Sequence, residues 1–135
     1  MRFFFICVVA LLGLSACTGP LDTGPGPDVL AARFAEAMRW QDFVGASAFV
    51  QADVRDEFRQ QFTRDDDLKI VESRVERIKL APETKLVEVD YRMQYYRLPS
   101  MRVKKWQWNQ QWQLQQEKAM MSGVWLITNA PPEGP

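Results

Sequence analysis

The sequence predicts an α+β domain in which two to three N-terminal helices pack on one face of a curved, antiparallel sheet of about four strands. Three observations predict this class of fold. Apolar residues recur at helical spacing between residues 28 and 62, and they alternate with polar residues from residue 68 onward. The strand segments are joined by short connections, which favour antiparallel neighbours. Helices followed by strands, instead of alternating with them, are typical of α+β domains.

Three helices are expected before the strands. The first follows Asp28, which can cap its N-terminus, and it carries one apolar stripe formed by Leu30, Phe34, Ala37 and Met38. A second helix is expected over residues 42–50, with Asp42 at its start and Gly45 at a position of close approach. A third is expected over residues 53–62, where Val54, Phe58 and Phe62 lie at a spacing of four residues.

Four strands are expected over residues 68–80, 85–98, 101–115 and 124–127. In the second strand, every other residue from Val87 to Tyr95 is apolar or aromatic. In the third, the alternation slips at Lys104–Lys105, which we interpret as a β-bulge. Beyond that point one face of the strand is expected to meet the helices, and its residues are Trp106, Trp108, Gln110, Trp112 and Leu114.

The first sixteen residues have the pattern of a secretory signal peptide. Arg2 provides the positive start, and the apolar run that follows is too short to remain as a membrane span. Its end, Leu14-Ser15-Ala16-Cys17, resembles the lipobox of bacterial lipoproteins, which implies cleavage before Cys17, acylation of Cys17 and attachment to the lipid bilayer. The alternative is an ordinary signal peptide that is cleaved elsewhere. An outer-membrane, periplasm-facing location is implied if the source has two membranes.

The remaining chain divides by composition. Residues 17–27 contain the predicted lipidated cysteine and a Gly- and Pro-rich tether, residues 28–128 form the single α+β domain, and residues 129–135 form a Pro-rich tail that is expected to be flexible.

The order of elements resembles the nuclear transport factor 2-like superfamily, in which a curved sheet wraps around the first helix to form a cone. The segment Ala31–Val50, with the sequence AARFAEAMRWQDFVGASAFV, is similar to the opening helices of that group, and the Trp-rich third strand and the final GVWLI also fit. The superfamily includes isomerases, dehydratases, cyclases, transport adaptors and many uncharacterised envelope domains. Its enzymes commonly place an Asp, often with a His or Tyr, inside the cone. This chain has no His, and Asp90 falls on the polar face of its strand.

Composition excludes several kinds of function. The 17 basic and 17 acidic residues balance, so the surplus of positive charge that nucleic-acid binding requires is absent. Without histidine, neither a Ser-His-Asp triad nor a histidine metal site can form. The acidic run at Asp65–Asp67 lacks the spacing of a calcium loop and is interpreted as a solvated turn. We therefore expect no cofactor and no metal.

The residues favour a membrane-anchored envelope protein that acts as a non-enzymatic module and binds either a small apolar ligand or an envelope protein. The candidate ligand-binding residues also have a simpler interpretation as core packing: Trp106, Trp108, Trp112, Tyr91, Met93 and Tyr95. The polar face from Gln107 to Gln115 is suited to hydrogen bonding with a partner, or it is an ordinary solvent-exposed face. The alternative function is an isomerase or dehydratase with an inward carboxylate, for which Asp42 and Asp53 are candidates.

Overall fold

Three helices precede four strands in the computed structural model, which describes residues 24–63, 65–81, 83–116 and 123–135. The predicted α+β class is confirmed. The predicted signal peptide and Cys17 lie outside the described residues, as does most of the tether. The elements are α1 (Pro27–Arg39), α2 (Phe43–Ser47), α3 (Ala52–Phe62), β1 (Leu68–Ala81), β2 (Leu86–Arg97), β3 (Lys104–Gln115) and β4 (Val124–Ile127).

The four strands form one antiparallel sheet in the order β1-β2-β3-β4, so that neighbours along the chain are also neighbours in the sheet. The helical layer joins the β4 edge through the backbone. Ile127 donates its N–H to the carbonyl of Phe49, and its own carbonyl accepts the N–H of Gln51, both at 2.8 Å. These two bonds fix the chain between α2 and α3 against the last strand.

The helix starts differ in detail from the prediction. The helix α1 begins at Pro27 with Gly26 as its N-cap, so Asp28 lies inside the first turn, where a negative charge favours the helix dipole, and not at the cap. Asp42 does cap α2, because its carboxylate accepts the N–H of Gly45 at 2.8 Å. A side chain at residue 45 would collide with that carboxylate, which explains the glycine. The helix α2 is shorter than predicted, since Val50 leaves it to bridge to Ile127.

The predicted β-bulge at Lys104–Lys105 is wrong. The strand β3 begins at Lys104 and pairs with β2 in continuous register as far as Gln113. The slip in the alternation marks the end of the turn: Met101 and Val103 lie before the strand, and 72% and 53% of their surfaces are exposed.

Two irregularities lie in β1 instead. Its register against β2 shifts between Ile70 and Glu72 and again between Val75 and Arg77. Each shift places one extra residue in β1, so the set of residues that faces the helices changes phase twice along this strand. Ile70, Val75 and Ile78 all pack against the core although their spacing is not a strict alternation.

The core lies between the helices and one face of the sheet. Phe34 of α1 is at its centre and is fully buried. Its ring contacts Phe58 of α3, Tyr91 of β2 and Trp108 of β3, with ring centroids 5.3 to 6.0 Å apart. Edge-to-face and tilted aromatic pairs of this kind add to the stabilisation that comes from burial.

Residues 129–135, which the composition predicts to be a flexible tail, form hydrogen bonds with the domain. Asn129 bonds to the backbone of β3, and the carbonyl of Pro132 accepts a hydrogen bond from Gln61 of α3 at 2.9 Å. The carbonyl of Glu133 accepts the indole N–H of Trp106 at 3.3 Å, and Arg97 donates to the carbonyl of Pro135. The tail therefore crosses from the β4 edge to the end of β2.

Candidate functional site

The six residues proposed from the sequence as ligand-binding or core residues lie together on the helix-facing side of the sheet. The antiparallel register places Tyr91 beside Trp108 and Met93 beside Trp106. No more than 7% of the surface of any of the six is exposed. The arrangement that the sequence predicted for β2 and β3 is therefore present.

Phenylalanines from the helical layer cover the three tryptophans of this cluster. The ring of Trp106 meets Phe62 edge-on at 5.5 Å, that of Trp108 lies parallel to Phe58 at 6.2 Å, and that of Trp112 is tilted against Phe49 at 6.4 Å. A ligand on this face would have to displace side chains that already contact one another. The contacts therefore support the packing interpretation of these residues.

Tyr91 is the titratable member of the cluster with the most altered environment. Its hydroxyl lies 2.6 Å from Oγ of Ser73, and Ser73 donates to the carbonyl of Ala35 at 2.7 Å. Since the serine proton is used on Ala35, Tyr91 is the donor of the first bond. Burial raises the pKa of the Tyr91 hydroxyl above its usual range, against a smaller opposing effect of the bond to Ser73. Tyr91 therefore remains protonated near neutral pH, where it joins α1, β1 and β2.

One polar side chain lies inside this aromatic layer. Gln110 is fully buried, and its Oε1 accepts the indole N–H of Trp112 at 3.0 Å. Among the described residues, Gln110 Nε2 and Trp108 Nε1 have no acceptor. The alternation of β3 predicts that Gln110 points toward the helices, but its hydrogen bond to Trp112 could be found only from the structure.

The acidic residues considered for catalysis lie away from this layer. Asp42 is exposed at the start of α2, and Asp53 is exposed in the first turn of α3. Asp90 lies on the opposite face of the sheet, where its Oδ1 accepts from Asn109 at 2.7 Å and its Oδ2 lies 3.9 Å from Nε of Arg77. None of these three carboxylates lies on the helix-facing side of the sheet, where the tryptophan rings pack.

The face of the sheet opposite the helices, called here the open face, carries most of the charged and amide side chains of β1, β2 and β3. Ion pairs join β1 to β2 on this face: Arg92 lies 2.8 Å from Glu76, and Lys79 lies 3.7 Å from Glu88. Glu76 also lies 3.4 Å from Arg74 on its own strand. The extra residue at the second irregularity of β1 allows Glu76 and Arg77 to reach β2 side by side.

A groove of about 290 Å³ crosses the open face. It is lined by Glu76, Asp90, Tyr91, Gln107, Trp108 and Asn109. Two carboxylates and two amides thus border one groove over the centre of β2 and β3. The alternation of β3 predicts the outward direction of Gln107 and Asn109, but the contribution of Glu76 depends on the irregular register of β1.

The acidic run at the start of β1 forms structural contacts. Asp65 pairs with Arg97, and the carbonyl of Asp66 accepts from Lys69 at 3.1 Å. In the part of the chain that the structure describes, no three Asp, Glu or Cys side chains are grouped so that they could hold a metal ion. Within the same residues, no helix is both long and apolar enough to cross a membrane.

No protein-family model matches this chain, and no curated protein and no solved structure matches it.

Proposed function

We propose that this protein is an exported lipoprotein of the cell envelope, anchored to the bilayer through acylated Cys17, whose cone-like α+β domain is a non-catalytic module that binds a protein partner. The observation that carries the binding proposal is the division of the sheet: the helices cover one face, and the open face presents a groove bordered by carboxylates and amides. The anchoring proposal is supported by the lipobox-like Leu14–Cys17 and by the tether that follows it.

The chemistry of the open face suits a protein partner. Gln107, Asn109 and Gln111 have side-chain amides that can both donate and accept hydrogen bonds, and all three are exposed. Such groups match the amides of another polypeptide, and protein interfaces contain about one hydrogen bond per 100–200 Å². The groove itself, at about 290 Å³, is slightly smaller than the roughly 300–1,000 Å³ that is typical of small-molecule sites.

The cone-like arrangement is part of the same proposal. Side chains of α1 and α3 pack on the covered face of the sheet, and aromatic residues occupy the space between the two layers. With the interior occupied, binding is assigned to the open face.

Site-specific photocrosslinking in the native cell envelope tests the binding proposal. A photoreactive residue introduced at Gln111 on the open face should give a discrete protein adduct, and the same residue at the exposed Gln60 of α3 should give none. The adduct should be lost when Gln107→Arg is added. Equal crosslinking from both positions, or none from Gln111, would contradict the proposal.

The anchor is tested separately by the intact mass of the mature protein. Acylated Cys17 at the N-terminus is the expected species, and Cys17→Ser should leave the precursor uncleaved. A mature chain that begins at another residue would contradict the anchor while leaving the binding proposal open to its own test.

A further inference from the structure

An apolar groove of about 320 Å³ lies at the end of the sheet where the described chain enters α1. It is formed where β1 ends, where β2 begins and where β4 begins. Its lining residues are Pro27, Leu80, Ala81, Lys85, Leu86, Val87 and Trp125. Lys85 is the one charged residue among them, so this concavity differs in character from the groove on the open face.

The side chains around this groove are unusually accessible for their type. Leu80 is 70% exposed. Val29, two residues after Pro27, is 41% exposed, and Val124, next to Trp125, is 55% exposed. Several exposed aliphatic side chains at one end of a domain are typical of an interaction surface, because the removal of apolar area from water is favourable. The surface made of the groove and these residues is called here the tether-end surface.

The position of the tether indicates what this surface meets. Pro27 is both a lining residue and the first residue of α1, and it is the tenth residue after Cys17. A fully extended chain of that length spans at most about 33 Å. A connection this short holds the surface at a high effective concentration beside whatever carries Cys17.

We propose that the tether-end surface docks the domain onto the bilayer that holds its acyl anchor. The proposal rests on the lipid anchor of the proposed function. Leu80 and the neighbouring aliphatic side chains enter the boundary between headgroups and acyl chains, and Trp125 lies at the level of the headgroups, where tryptophan is favoured. Docking by a second apolar contact beside a lipid anchor also restricts the orientation of the domain.

The orientation follows from α1. This helix begins at the tether-end surface and ends at Trp40, and its thirteen residues rise by about 20 Å at 1.5 Å per residue. Trp40 is 71% exposed and lies at the opposite end of the domain, as does Leu98, which is 42% exposed in the turn after β2. Docking therefore places Trp125 at the bilayer and keeps Trp40 in water, with the open face accessible from the side.

Fluorescence quenching by brominated lipid tests this orientation. The mature chain from Cys17 to Pro135 has one cysteine, so its thiol can be coupled to a maleimide headgroup in vesicles of phosphatidylethanolamine and phosphatidylglycerol, whether or not the cell acylates it. Vesicles with brominated acyl chains should quench part of the tryptophan emission. Trp125→Phe should remove most of that quenching, and Trp40→Phe should leave it unchanged.

A matched pair of leucine substitutions provides the control. Both leucines are exposed, so neither change should unfold the domain: Leu80→Asp should abolish the quenching of Trp125 in coupled protein, and Leu98→Asp should preserve it. Quenching that survives Leu80→Asp or Trp125→Phe would overturn the proposal, as would a dimer in solution that Leu80→Asp converts to monomer. Failure of the lipid anchor is distinguished from these outcomes because it is read from the mass of Cys17 and not from the coupled vesicles.

Discussion

The two faces of the sheet are built from the same strands and differ in almost every physical property. Along β3, the residues at even positions from Trp106 to Trp112 are at most 7% exposed, and the residues between them are exposed. The covered face is held by aromatic contacts with α1 and α3, whereas the open face is held by ion pairs and amide contacts at its surface. Stability therefore depends mainly on the covered face, which leaves the residues of the open face available for binding.

Removing the largest side chain of the covered face should have the largest effect. Trp108→Ala deletes a ring that contacts Phe34, Phe58 and Trp106, and we expect it to lower the free energy of unfolding by about 3–5 kcal/mol. Trp108→Phe should cost less, because it keeps most of the packing and removes an indole N–H that has no acceptor among the described residues. Denaturant midpoints measure both, and equal losses would show that packing is not the origin of the effect.

The buried hydroxyl of the covered face should make stability depend on alkaline pH. The pKa of Tyr91 is raised in the folded protein, so the unfolded chain releases this proton first, near its ordinary value of about 10. The stabilisation is complete below that pH and is lost as pH rises toward the folded-state value, at about 1.4 kcal/mol per pH unit. In Tyr91→Phe, this contribution to the pH dependence of the free energy of unfolding should be absent, whereas in Tyr96→Phe it should be retained. Parallel profiles of urea midpoints for wild type and Tyr91→Phe between pH 9 and 11 would contradict the assignment.

The contribution of the tail to stability can be tested at the exposed edge of β3, where Asn129 bonds to the strand. Asn129 accepts the N–H of Gln111 at 2.7 Å and donates to the carbonyl of Asn109 at 2.8 Å, which extends the pairing of β3 beyond the end of β4. Asn129→Ala should cost about 1–2 kcal/mol, since two backbone groups lose a partner at a solvated edge. Asn129→Asp keeps the acceptor alone and should give an intermediate loss. Thermal unfolding would show the order, and a neutral Asn129→Ala would mean that the tail does not stabilise the sheet.

The smallest effect is expected on the open face. Gln111→Ala removes an exposed side chain, and we expect a change within about 0.5 kcal/mol. The same denaturant measurement used for Trp108→Ala checks it. A loss comparable to that of Trp108→Ala would show that the open face also contributes strongly to stability.

The regular parts of the fold could be predicted because their cause is local. Alternation along β2 and β3 specifies which side chains share a face whatever the rest of the chain does, so the six clustered residues and the outward Gln107 and Asn109 follow from spacing. The helices were predictable for the same reason, to within a few residues at their ends. The outward direction of each candidate residue of β3 on the open face could therefore be predicted from the sequence, but the groove that these residues border could not.

Features that depend on residues far apart in the sequence could be identified only from the tertiary structure. The strand β1 changes phase twice because its register adjusts to β2, and this places Glu76 beside Arg92. The Pro-rich tail is held because Trp106 and Asn109 offer bonding groups some twenty to thirty residues earlier in the chain. The tether-end surface combines residues from both ends of the chain and its middle. Local spacing therefore determined the helices and strands and which side chains share a face. Contacts between segments that lie far apart in the sequence decided which of these faces are buried, which segments are bonded together and which surfaces stay exposed, because the energies of such contacts do not depend on local spacing.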